Sequence, residues 1–429
     1  MQKLQERSPL RLPADAGPTR LANRSSRSGA GRWSPGQKVA YTLRILPAYV
    51  GQCATRRVPR GRVHLMVALA DHFEPGIVPG DGMARAAHNE QERRLERWCR
   101  DYPEVVDRWR DCDGRAFCHT YFYPAEQYQK SLISRLAEHC RAGWGDIEIH
   151  LHHGVQTPDT EENTRRQLAQ FRDALAAEGC TAYWEHSGPP RYAFVHGNYA
   201  LANSAGGRYC GVDSEMQVLA ETGCYADLTL PTGPFHPAQT AKINCLYECV
   251  LPLDRQAPHR RGINLRRGSA PRTFPLLIQG PLLFDFGRRT TFGLPRVEDG
   301  ALTGATPPSL RRLRLWKRAG ICVRGRPDWL FIKLHCHSMD PSPRNRDSML
   351  GDPMRRFLEG LVGGARERGE SLHFVSAREM VNIILAACDG RDGSPGEYRD
   401  YRLKRSRAAD SAGKSDGVQA GSECAESRA

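Results

Sequence analysis

No stretch of this sequence reaches the ~18 to 20 consecutive apolar residues that a membrane-spanning helix needs. The longest candidate, residues 39–51, is broken by Arg44 and Pro47, so no transmembrane segment is expected. The N-terminus lacks the basic start, apolar centre and small-residue cleavage site of a secretory signal, and export is not expected. Cysteines number 14, yet no two stand in a Cys-x-x-Cys pair; the nearest grouping is Cys245 with Cys249. That spacing gives no support to a zinc ribbon. Scattered thiols without a small-scaffold framework fit a reducing compartment, and the cytoplasm is the expected location.

A charge of one sign is also scarce outside the first residues. The formal net charge is +14, but residues 1–62 hold 13 Lys or Arg against Glu6 and Asp15, a net of +11. The body is close to balanced, and no specific nucleic-acid partner is expected. The basic leader, residues 1–61, reads as disordered, either a solvated tail or a loose contact with an anionic membrane face. Residues 391–429, polar and small, read as a flexible tail.

Between these ends, short apolar runs alternate with amphipathic stretches. Residues 64–70, 117–123, 147–152, 192–196, 226–230, 329–334 and 372–375 read as seven buried strands. Residues 124–141 and 160–178 read as helices, and Ser376 with Glu379 forms a Ser-x-x-Glu capping box ahead of a last helix. Strands that are apolar throughout and separated by helices imply a parallel sheet covered on both faces. The expected fold is therefore α/β: a distorted (β/α)7-type barrel over residues 62–390, with an open doubly wound sheet as the alternative. Residues 231–328 interrupt the rhythm and read as a rim insertion, with a short apolar run at 274–279 suited to one more strand.

In such folds the chemistry collects where strands end. The first strand runs into Asp71, His72 and Glu74, two carboxylates and an imidazole within four residues. The third ends in His150, His152 and His153, of which His150 and His152 share a face. The sixth closes in a second His-x-His, His335 and His337. Imidazole and carboxylate donors suit a divalent ion, zinc first, and a spare carboxylate or imidazole suits proton transfer. The metal candidates are His72, His150, His152 and His153; the catalytic candidates are Asp71, Glu74 and His335. His196, Asn198, Tyr199, Thr232 and His337 lie at other strand ends and are assigned to substrate contact.

The order of these elements resembles the NodB-homology polysaccharide deacetylases over residues 62–387. Asp71 and His72 stand where that family has an Asp pair, residues 148–153 occupy its His motif, and Ile332, Lys333, Leu334 and His335 match its late Leu-x-Leu-His. The resemblance implies that Asp71 is the catalytic base, His72 and His152 are metal ligands and His335 is the general acid, in hydrolysis of an acetyl group on a saccharide. Gln156 stands where the family's second metal His is expected, so His150 or His153 would substitute. The same residues leave three other readings open: a metal-dependent amidohydrolase or phosphoesterase, a glycosidase using Asp71, Glu74 and Asp340, and a saccharide-binding barrel without turnover.

Overall fold

The computed structural model describes residues 35–55, 61–185, 187–233, 236–291 and 293–405. It is a mixed α/β structure built on one curled, mostly parallel sheet. The strands that matter are β1 (Val63–His72), β2 (His119–Pro124), β3 (Gly145–Leu151), β4 (Ser187–His196), β5 (Cys224–Asp227), β6 (Leu246–Cys249), β7 (Gly262–Asn264), β8 (Leu276–Ile278), β9 (Ala301–Leu302), β10 (Trp329–Cys336) and β11 (Glu370–Phe374). Their order is β7-β6-β8-β5-β4-β3-β2-β1-β10-β9, with β11 also paired to β1. All seven strands expected from the apolar runs are present, and the run at 274–279 supplies β8, parallel to β5. A closed barrel requires a ladder between the edge strands β7 and β9, and none joins them among the described residues.

The sheet is buried on both faces because its strands are apolar on both. Leu65, Val67 and Leu69 of β1 join one core cluster with Trp98 and Tyr102; Met66, Ala68 and Ala70 join another. Trp98 and Tyr102 belong to α2 (His88–Val106), and α3 (Lys130–His139) and α4 (Glu161–Ala177) pack on the same side. Along α4, Leu168, Phe171 and Leu175 are buried, as their spacing requires. Thr160 caps it by accepting from the Asn163 amide. The opposite face receives α7 (Ala377–Cys388), buried along its whole length and opened by the Ser376–Glu379 capping box. Each fully buried Leu, Ile or Phe contributes about 1.5–3 kcal/mol.

Two segments depart from the expected pattern. Residues 35–55, read as part of a disordered leader, include the helix α1 (Pro35–Thr55), which seats Ile45 and Tyr49 in the second core and bonds Gln52 Nε2 to the Ile243 carbonyl at 2.6 Å. Pro47 inside it is what masked the helical pattern. Residues 391–405, read as flexible tail, are ordered: Leu403–Arg405 pairs with the short strand Ala182–Trp184, and Arg399 is ion-paired to Asp111 and Asp113 at 2.8 Å each. The rest of the leader, residues 1–34 and 56–60, and of the tail, 406–429, lie outside the described residues. Among the described residues no helix is long and apolar enough to cross a membrane.

The insertion does more than line a rim. Strands β6, β7 and β8 extend the main sheet, β9 adds an edge to β10, and α6 (Leu310–Arg318) packs back through Leu313 and Trp316.

Candidate metal centre

Strands β1, β3 and β10 end at the same rim, and their last residues meet there. His72 closes β1, His150 is the penultimate residue of β3 with His152 just beyond its end, and His337 follows β10. Glu74, two residues after β1, stands at the centre. Its Oε1 lies 3.4 Å from His150 Nε2, 3.9 Å from His152 Nε2 and 3.9 Å from His337 Nε2. The His72 ring is 4.7 Å from that of His150 and 4.6 Å from that of His337, centre to centre. Donor atoms of His72, Glu74 and His337 fall within 4.8 Å of one another, as do those of Glu74, His150 and His152.

The imidazoles are oriented as metal ligands are. His150 Nδ1 lies 2.9 Å from the Val195 carbonyl, which can only accept, so Nδ1 carries the proton and Nε2 offers its lone pair toward Glu74. His152 Nδ1 is 2.9 Å from Glu126 Oε1, a carboxylate–histidine pair that turns Nε2 the same way. Glu126, in the turn after β2, was not among the residues expected from the sequence; nothing in its local pattern marks it. His150 Nε2 and His72 Nδ1 are buried without a hydrogen-bond partner. Such orphaned nitrogens are costly unless a cation meets them.

Electrostatics agree. Burial, reinforced by His337 and His150, holds His72 well below the usual imidazole range, in the neutral form that binds metals. Burial lowers His150 too, against the pull of Glu74. Burial opposes ionisation of Glu74, but the surrounding imidazoles win and bring it down to about 2. His152 is raised despite its burial, because Glu126 and Glu74 favour a cation there. A group of imidazoles about one ionised carboxylate fits a divalent ion, and the donor types suit zinc.

Above these residues opens a polar cleft of about 670 Å³, lined by Arg85, Gln127, Gln156, Asn163, Gln167 and Asn198 among others. His152 and His337 lie in its wall. Ring centre to ring centre, Tyr199 is 6.2 Å from His72 and His335 is 6.3 Å from it.

The structure does not bring all the expected site residues together. Consecutive strand residues point to opposite faces, so Asp71 turns away from His72. It is fully buried beneath α2, where it accepts from the Ser338 amide at 3.0 Å and the Ser338 hydroxyl at 2.5 Å, with His119 Nδ1 at 3.0 Å. His153, two residues past the end of β3, turns away from His150 and His152. His153 joins His196, Cys210 and Glu215 in a different, fully buried cluster. Thr232 bonds through its amide to Gln239 Oε1 at 3.0 Å and is absent from the cleft lining.

No protein-family model matches the chain, and no curated protein matches it as a relative.

Proposed function

We propose that the chain is a metal-dependent hydrolase that removes acetyl groups from a saccharide, on a distorted barrel of the polysaccharide deacetylase kind. The observation that carries this reading is the ring of three imidazole Nε2 atoms within 3.9 Å of Glu74 Oε1 at the base of a polar cleft. His72, His150, His152 and Glu74 would hold the ion, zinc by its donors. When bound, it would serve as a Lewis acid on an acyl carbonyl and make water more acidic.

The remaining steps belong to the chain itself. Glu74, held near a pKa of about 2, is a better ligand than base. His337, its side chain about a third exposed on the cleft wall, takes the proton from the attacking water. That proton goes to the leaving nitrogen or oxygen, the acyl bond breaks, and acetate and a free amine or hydroxyl result. The cleft's amide and guanidinium side chains suit sugar hydroxyls. The described cysteines are all free, which supports a reducing compartment, the cytoplasm. The substrate is then a glycan precursor or nucleotide-linked sugar.

The test is metal analysis joined to acetate release from a panel of acetylated oligosaccharides. His152→Ala and Glu74→Gln are each expected to lose the ion and to lower acetate release by about 100-fold or more. Metal content that neither substitution changes would sink the hydrolase reading. Metal bound as expected, with no acetate released from any substrate, would leave the centre but remove the deacetylase.

A further inference from the structure

The cluster that took His153 out of the expected site has a composition of its own. His153 follows β3, His196 ends β4, Cys210 lies in the loop beyond, and Glu215 opens α5 (Glu215–Thr222). All four are buried, and one donor atom from each lies within 4.8 Å of the rest. We propose that His153, His196, Cys210 and Glu215 form a second, structural site for a tetrahedral metal ion of the zinc class.

Donor spacing carries the first part of the argument. Glu215 Oε1 is 2.9 Å from His153 Nε2 and 3.7 Å from His196 Nε2, and Glu215 Oε2 is 3.5 Å from Cys210 Sγ. Around one tetrahedral zinc, bonds of about 2.0–2.3 Å place neighbouring donors about 3.3–3.6 Å apart. Two imidazoles, a thiolate and a carboxylate close the shell with no open position, which is the structural rather than the catalytic pattern.

Orientation carries the second. His153 Nδ1 is 2.9 Å from Asp159 Oδ2, itself held by Thr164 and Asn163, so Nε2 is the nitrogen turned inward. The metal-free alternative is an imidazolium of His153 between Asp159 and Glu215. It satisfies His153 but leaves His196 Nε2 buried with no partner. A metal at that nitrogen would give up the 3.2 Å contact between the Asn198 amide and His196 Nδ1, a bond to the residue two positions on, in exchange for ligation.

The loop supplies the need. Ala202, Asn203 and Tyr209 all have positive φ, a conformation that persists only when the surroundings impose it. A Cβ on Gly154 would sit 2.0 Å from the Cys210 carbonyl oxygen, so the end of β3 and the loop touch backbone to backbone. An ion there would tie β3, β4, the loop and α5 at one point beside the cleft.

The experiment uses the full chain, produced in zinc-supplemented medium. X-ray absorption at the zinc edge is expected to show a sulfur scatterer at about 2.3 Å. Cys210→Ser is expected to remove that scatterer and one equivalent of zinc per chain, whereas Cys336→Ser, a second buried cysteine, leaves both in place. Should Cys210→Ser fail to fold, cobalt substitution of the unaltered protein decides, through a thiolate-to-cobalt charge-transfer band. No sulfur scatterer and no such band in the unaltered protein would overturn the proposal and leave the His153 imidazolium. The His72 centre has no sulfur donor, so this outcome is separate from that of the hydrolase.

Discussion

At the scale of single residues, the decisive fact is which way neighbouring side chains turn. Asp71 and Glu74 are three positions apart, and the sequence offers either as the working carboxylate. Only Glu74 faces the imidazoles; Asp71 is consumed by Ser338 and His119 on the far side of the sheet. Asp71→Asn replaces one buried acceptor with a donor that meets donors. Equilibrium unfolding in urea should show a loss of about 1–3 kcal/mol, while metal content stays at its original value. Metal loss without a change in unfolding midpoint would return Asp71 to the site.

At the scale of elements, the ends of β3 and β4 fit so closely that one hydrogen sets the position of the candidate ligand His152. A Cβ on Gly197, just past β4, would lie 2.4 Å from the His152 ring, and backbone bonding of the Gly197 amide to the Leu151 carbonyl at 2.8 Å prevents retreat. Gly197→Ala should therefore push the imidazole off its Glu126 pairing and weaken metal binding by about 10–100-fold, the cost typical of a disturbed ligand support. Competition with a chromogenic chelator measures this, and unchanged affinity would mean that His152 is no ligand. The elements themselves were largely legible: unbroken apolar runs mark strands buried on both faces, and Ser376 and Thr160 mark helix starts. What pattern alone left hidden were α1, with its internal Pro47, and the ordered segment to Arg405, whose Arg399 is held by ion pairs to residues far away in sequence. The candidate metal centre was legible as a density of histidines at strand ends. Its division into two clusters was not, because residues just past a strand end, such as His153, are free to turn either way, and because Cys210, Glu215 and Glu126 arrive from loops and helix starts with no periodic signal.

For the whole molecule, buried titratable groups set opposing limits on the pH of stability. His139 and His259 lie in different parts of the core, and burial brings each down to about 3 from the ordinary 6.5. Between those values the unfolded chain binds protons that the native state refuses, so stability rises with pH; it is complete above about 6.5 and lost as pH falls toward 3. Glu148 acts in the other direction. Burial raises it to about 8 from 4.5, so the native state holds a proton that the unfolded chain releases, and stability falls as pH climbs through that window. His259 isolates the acid side, since neither of its ring nitrogens has a partner; burial and the Arg260 charge hold it down, against the pull of the Glu215 carboxylate. Replacing it by leucine removes the titration without orphaning a bond. In metal-stripped protein, the slope of unfolding free energy between about pH 4.5 and 6 should then drop by about 1.2 kcal/mol per pH unit, most of the weight of one proton. Urea titrations at several pH values in that range measure it. An unaltered slope would mean that His259 is protonated in the folded protein, and that its pocket admits water or a counter-charge.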